Sequence, residues 1–331
     1  MPRKFDGHIG VRRRLIDTGD RVARLVAIVG DGLVRRCGRP RHYILNYHHV
    51  APATNELVDG LGVHLDLDVF ASHLHFLSAR FRFVSLRTLI SGLEADRAMR
   101  PSVALTFDDG FRCVIEHVAP LLCRVGACAT LFPPIASMGN KRLLVPQKLA
   151  LLKNRGCGER DLQHIRSVRP ALLEQAVSRV FESLGWREDQ IAQDHRLYLD
   201  AEDIAADSGV FEHGSHGLAH VDLTVLDDAA LREELVESRR QLEAMTGRAV
   251  DVLALPFGKY DDRVVGFARE AGYRSLLSLE ERPITAGQGV TVLPRYIGEN
   301  IGGKAIDETL TTSVRFRSLR HGLRAWRWGP Q

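Results

Sequence analysis

The sequence predicts an α/β protein, a distorted barrel of about seven parallel strands alternating with helices and carrying one helical insertion. Three observations lead there. Short β-branched or apolar runs alternate along the chain with longer stretches whose apolar residues recur at helical spacing. The stretches between strands are too long for hairpins, so the strands pair in parallel through right-handed crossovers. Polar, chemically capable residues gather where strands end, which is where parallel α/β folds build their sites.

Taken in order, Tyr43-Ile44-Leu45-Asn46-Tyr47 reads as the first strand, 69–79 as a helix, 83–86 as a strand and 87–95 as a helix. A strand at 102–107 stops at Asp108-Asp109-Gly110, and another at 127–132 stops before Pro133-Pro134. Residues 141–200 are helix-rich and strand-poor, an insertion over the core. A short strand at 209–213 precedes a long charged helix at 227–246. The strand at 250–255 ends at Pro256, which lacks the N–H a ladder needs. A helix at 261–271 and strands at 274–277 and 290–293 complete the alternation.

With 45% apolar and 26% charged residues in a chain of 331, collagenous, disordered and disulfide-stapled classes are excluded. The five cysteines form no C-x-x-C pair and read as free thiols of a reducing compartment. The apolar run at 25–34 is interrupted by Asp31 and falls short of the roughly 20 residues a membrane span needs. No basic head, apolar stretch and small-residue cleavage site occur in signal-peptide order. The expectation is a cytoplasmic protein.

Net charge is +4, but it is unevenly spread. Residues 1–41 hold eleven Lys/Arg against four Asp/Glu, and 313–331 hold five Arg and no acid, leaving an acidic middle. The expected organisation is a basic extension at 1–41, one domain at 42–300 and a basic tail at 301–331. The tail mixes Arg with Phe316, Trp326 and Trp328, which suits peripheral contact with an anionic membrane surface at the inner face. Nucleic acid is a weaker alternative that rests on the tail alone.

Two segments stand out chemically. After the 102–107 strand come adjacent carboxylates, Asp108 and Asp109, which point in different directions, so one can ligate a metal while the other handles a proton. His216 and His220, four apart, would project from one face of a helical turn and grip one ion. Gly217 stands where an H-E-x-x-H protease has its Glu, so the base must come from elsewhere. Two imidazoles and a carboxylate would leave a position open for water, the usual arrangement of catalytic zinc. Ala254-Leu255-Pro256-Phe257-Gly258 is a third, weaker signal at a strand end.

Thr106-Phe107-Asp108-Asp109-Gly110 and Gly214-Ser215-His216-Gly217-Leu218-Ala219-His220-Val221-Asp222-Leu223-Thr224, with Tyr47-His48-His49-Val50 upstream, resemble the motifs of the polysaccharide deacetylase family, also called the NodB-homology domain or carbohydrate esterase family 4. The likeness runs from about residue 42 to about residue 300 and implies a NodB-like, TIM-barrel-related fold. It implies that Asp109, His216 and His220 hold a divalent metal, most often zinc in this family, and that Asp108 is the base toward a water on that metal. It also implies removal of an N-acetyl group from an amino sugar, with a backbone N–H near Phe111 facing the oxyanion. The substrate class it implies is a polysaccharide, an oligosaccharide or a lipid-linked glycan precursor.

Two positions depart from the family pattern. Ala254 stands where many members carry the Arg that orients the base, and Arg295 where many carry the acidic His of the last strand. Arginine keeps its proton at working pH and cannot be that acid. The expectation is a redistribution in which Arg295 reaches Asp108 and His48 becomes the acid. His49 and His213 read as structural. A barrel that binds carbohydrate through the metal without turnover is the alternative.

Overall fold

The computed structural model describes residues 41–301 apart from 98, 206–208 and 286–288. The basic extension up to residue 40, the tail beyond residue 301 and Cys37 therefore lie outside the described residues. Twelve strands are described: β1 (Arg41–Tyr47), β2 (His49–Ala51), β3 (His64–Asp66), β4 (Arg82–Phe83), β5 (Ser102–Asp108), β6 (Ala129–Phe132), β7 (Phe211–His213), β8 (Val252–Ala254), β9 (Ser275–Leu277), β10 (Ile284–Thr285), β11 (Val292–Leu293) and β12 (Tyr296–Ile297).

β5 is the centre of the main sheet. All seven of its residues are buried, and it pairs in parallel with β1 and β6, while β6 pairs in parallel with β7. A strand covered on both faces needs a nearly continuous apolar run, which Ser102-Val103-Ala104-Leu105-Thr106-Phe107 supplies. A second sheet has the order β11-β9-β8, again parallel.

The two sheets meet at both ends. Ser215, just past β7, forms a parallel bridge to Leu253 of β8, its N–H donating to Val252 C=O at 3.0 Å while Ala254 N–H donates to its carbonyl at 2.9 Å. On the other side β11 runs through Pro294 and Arg295 into β12, which pairs in parallel with β1. Parallel pairing thus passes from β1 through seven strand segments and back. It does so as two sheets joined by one bridge and one switching strand, not as one continuous ladder.

The helices 67–78, 86–94, 228–246 and 262–270 flank the sheets, and side chains cap their starts: Asp66, Ser85, Asp227 and Asp261 each accept a backbone N–H of the first turn. Four helices, Val145–Asn154, Glu159–Arg166, Pro170–Ser183 and Glu188–His195, fill the expected insertion. Lys148 is fully buried there and pairs with Glu174 at 2.5 Å and Glu188 at 2.8 Å, so one cation ties three of the helices together. The insertion returns to the core beside β5. Arg112 N–H donates to Leu197 C=O, Leu199 N–H donates to Gly110 C=O, and the Phe111 and Tyr198 rings stack at 5.8 Å.

Several elements differ from the sequence reading. The strand expected at 83–86 shrinks to Arg82–Phe83, with Leu86 already helical. The two- and three-residue strands β2, β3, β10 and β12 are too short for an alternation to register.

Candidate metal centre and active site

The registers set the site. Asn46 lies beside Thr106, and Asp108 lies beside Phe132, so the ends of β1, β5 and β6 are level. Residues that follow strands therefore converge on one rim: His48 after β1, Asp109 after β5, the 214–220 loop after β7, and Arg295 between β11 and β12.

The two carboxylates diverge because the chain turns sharply between them. Asp108 closes β5, whereas Asp109 and Gly110 have φ of 66° and 65°, two successive left-handed residues. Gly110 is required there, since a Cβ would stand 2.8 Å from Cβ of Pro133.

His216 and His220 are brought together, but not by a helix. The sequence reading put them on one helical turn, whereas residues 214–222 form an irregular loop in which Gly217 and His220 take φ of 81° and 55°. Side chains hold this loop in place of helical hydrogen bonds. Ser215 Oγ accepts from Gly217 N–H at 3.2 Å, and Glu234 of the 228–246 helix reaches into the loop, its carboxylate accepting from Leu218 N–H at 2.5 Å and Ala219 N–H at 3.1 Å. The imidazoles end 4.8 Å apart between ring centres, and Phe257, itself at φ 59°, covers His220 at 4.7 Å.

The donor set fits a divalent cation. One atom each of Asp109, His216 and His220 lie within 4.8 Å of one another, and all three residues are buried. Asp109 Oδ1 is 3.2 Å from His220 Nε2 and 3.5 Å from His216 Nε2, and it has no hydrogen-bond donor among the described residues. A tetrahedral ion with bonds near 2.0–2.1 Å spaces its ligand atoms by about 3.4 Å, which matches both distances. His216 Nδ1–H donates to Ala254 C=O at 2.8 Å, a bond that leaves Nε2 as the bare ligand atom. Burial lowers the His220 pKa to about 4, so its nitrogen carries a lone pair at neutral pH. Asp109 is held below the ordinary carboxylate value: burial raises it, but His220 and His216 facing it outweigh that.

Asp108 points the other way. Arg295, fully buried, donates from both terminal nitrogens to the two carboxylate oxygens at 2.8 Å each, a bidentate pair. Asn46 Nδ2 donates to Oδ2 at 3.0 Å, and its Oδ1 accepts from Arg295 at 2.8 Å and from Thr106 Oγ1 at 3.0 Å. Burial raises the Asp108 pKa, yet the Arg295 charge, followed by His216 and the Arg295 hydrogen bonds, brings it below the ordinary 3.8. Asp108 Oδ2 remains 3.9 Å from His216 Nε2, beside the triad rather than within it.

His48 follows β1, between Asn46 and Glu299. Its Nδ1 is 3.1 Å from Glu299 Oε1, and its Nε2 is 3.5 Å from Asn46 Nδ2. Burial lowers the pKa of this ring, but Glu299 in particular, with Asp109 and Asp108, raises it to about 9. His49 turns away into a contact with His64, 2.9 Å between Nδ1 atoms, and packs edge-on to Phe111. His213 ends β7 below the loop and is not part of the triad.

The sequence reading missed Asn46, Thr106, Glu234 and Glu299. An amide inside the apolar run Ile44-Leu45-Asn46-Tyr47 was a usable signal, since a buried polar group in a strand needs a partner. Glu299 has no such signal, being one acid in an irregular stretch.

Parallel strands in two joined sheets carry an Asp-His-His cluster at their carboxyl ends, and the fold is the α/β fold of NodB-like deacetylases. The model of the polysaccharide deacetylase family matches residues 192–276, the stretch that holds His216 and His220. A Bacillus subtilis protein, YxkH, named as a polysaccharide deacetylase, is 20% identical over 266 residues, which is 79% of this chain and 73% of that protein. Among solved structures, the Streptococcus pyogenes deacetylase PplD, in complex with acetate, is similar with a TM-score of 0.59 at 18% identity, covering 82% of this chain and 99% of the other. A de-N-acetylase from Aggregatibacter actinomycetemcomitans has a TM-score of 0.55 at 14% identity, covering 82% of this chain and all of the other at 100%.

Proposed function

We propose that the protein is a metal-dependent hydrolase that removes the N-acetyl group from an amino sugar of a glycan. One observation carries this reading: a buried Asp109-His216-His220 cluster stands beside a second carboxylate, Asp108, that is excluded from it and fixed by Arg295. A pure carbohydrate-binding barrel has no use for that second carboxylate.

Asp109, His216 and His220 would hold the ion, which when bound supplies Lewis acidity toward water and the amide carbonyl. Asp108, ionised at any working pH, accepts the proton of the attacking water at a carboxylate oxygen. Arg295 and Asn46 hold that carboxylate in one orientation, so no side-chain reorganisation accompanies the proton transfer. A backbone N–H near Phe111 donates to the developing oxyanion. His48 delivers a proton to the departing nitrogen, without which an amide expels its amine poorly. Acetate and a free amino sugar result.

Replacing His48 by Ala should abolish acetate release and leave bound metal unchanged. Normal turnover in that variant removes His48 from the mechanism.

The substrate reading extends to a lipid-linked glycan precursor at the inner face of the membrane. Its support is the charge pattern, with five Arg and no acid at 313–331. No helix among the described residues is long and apolar enough to cross a membrane. A basic tail mixed with aromatics would instead bind the surface peripherally.

A further inference from the structure

We propose that Glu299 is the positioning residue of the proton donor, its carboxylate fixing the His48 imidazole so that Nδ1–H is engaged and Nε2–H is presented to the amide nitrogen. This rests on His48 being the acid, as proposed above.

Glu299 grips His48 at two points. Its Oε1 accepts the His48 backbone N–H at 2.6 Å and lies 3.1 Å from Nδ1, which fixes both the main chain and the ring that hangs from it. The Glu299 side chain is 2% exposed, and among the described residues its other oxygen, Oε2, has no hydrogen-bond partner. No Lys or Arg pairs with this carboxylate among the described residues, and its charge acts on the His48 imidazole and also on His64. A buried anion left so lightly compensated is costly unless the group beside it is a cation.

The turn that carries Glu299 is built for this placement. Residues 298–300 form one 3-10 turn directly after β12, and Gly298 lies so tightly against the Tyr47 ring that any Cβ there would overlap it. Tyr47 is the residue before His48, so the turn is seated on the strand end that bears the imidazole. The charged groups acting on His48 are Glu299, Asp109 and Asp108; Asn46 Nδ2 approaches Nε2 only to 3.5 Å.

The proton balance follows. As the C–N bond breaks, its electron pair stays on nitrogen and takes the Nε2 proton, leaving neutral His48 with Nδ1–H still donating to Glu299. Asp108 has meanwhile taken one proton from water, which it returns to solvent, and His48 takes one back from solvent.

The test uses the zinc-loaded full chain, with histidine ring signals followed by NMR and acetate release followed in parallel. Glu299→Gln keeps the acceptor but removes the charge. It should lower the His48 titration midpoint by about one pH unit or more, and lower kcat by about tenfold or more with KM little changed. Glu299→Asp, which keeps the charge, should restore most of the midpoint.

An unchanged midpoint in Glu299→Gln overturns the proposal, as does an unchanged kcat in that variant. Failure of the underlying reading looks different. If His48→Ala releases acetate normally while the midpoint still depends on Glu299, the two residues are coupled but His48 is not the acid, and both ideas fall on that result.

Discussion

Arg295→Met would strip the guanidinium from a carboxylate that is 2% exposed and met by that guanidinium at 2.8 Å on both oxygens. Each charge-assisted hydrogen bond is worth about 1.5–3 kcal/mol. Removing one partner of a buried pair costs about 3–5 kcal/mol, because the other is left uncompensated. The expected loss in urea unfolding at neutral pH is therefore about 3–5 kcal/mol. Asp108→Asn should also destabilise, and the double variant should lose less than the two single losses combined by about 2 kcal/mol or more.

The pH dependence has a definite sign. The folded-state pKa of Asp108 is depressed below 3.8, with Arg295 the largest lowering influence against burial, so the stabilisation is present above that value and fades as pH falls. In Arg295→Met the carboxyl pKa rises, and acid unfolding should begin at higher pH. A loss below about 1 kcal/mol, or one that is the same in the Asp108→Asn background, would refute the reasoning.

Two further outcomes follow from the same geometry. Glu234→Ala removes the acceptor of the Leu218 and Ala219 N–H groups and loosens the turn between the two histidines; zinc affinity, read by competition with a chelator, should fall about 10- to 100-fold, and unchanged affinity would show that the loop holds its shape without that cap. Deletion of 313–331 should abolish co-sedimentation with anionic vesicles and spare acetate release from soluble oligosaccharides; no binding by the intact chain argues for a soluble substrate.

The alternation of strands and helices was readable because β5 and the helices 67–78 and 228–246 are long enough for their apolar period to show. The short strands β2, β3, β10 and β12 carry no such period, and they exist because neighbouring strands offer them partners. The site divides in the same way. Asp108-Asp109-Gly110 and His216 with His220 are local patterns, visible wherever the chain goes. The histidines were legible as a pair but not in their setting, because the left-handed Gly217 and His220 are stabilised by Glu234, a contact from a helix that sequence spacing does not reveal. Glu299 is 251 residues from His48 and could be found only once β12 was seen beside β1.

The most direct measurement is acetate release from N-acetylglucosamine oligomers by the full chain, stripped of metal and then titrated with zinc, alongside metal content. Activity should vanish on stripping and return in proportion to occupancy up to a single ion per chain, and Asp109→Ala should lose both the ion and the activity. Acetate release that survives stripping, or zinc bound equally well by Asp109→Ala, would contradict the account.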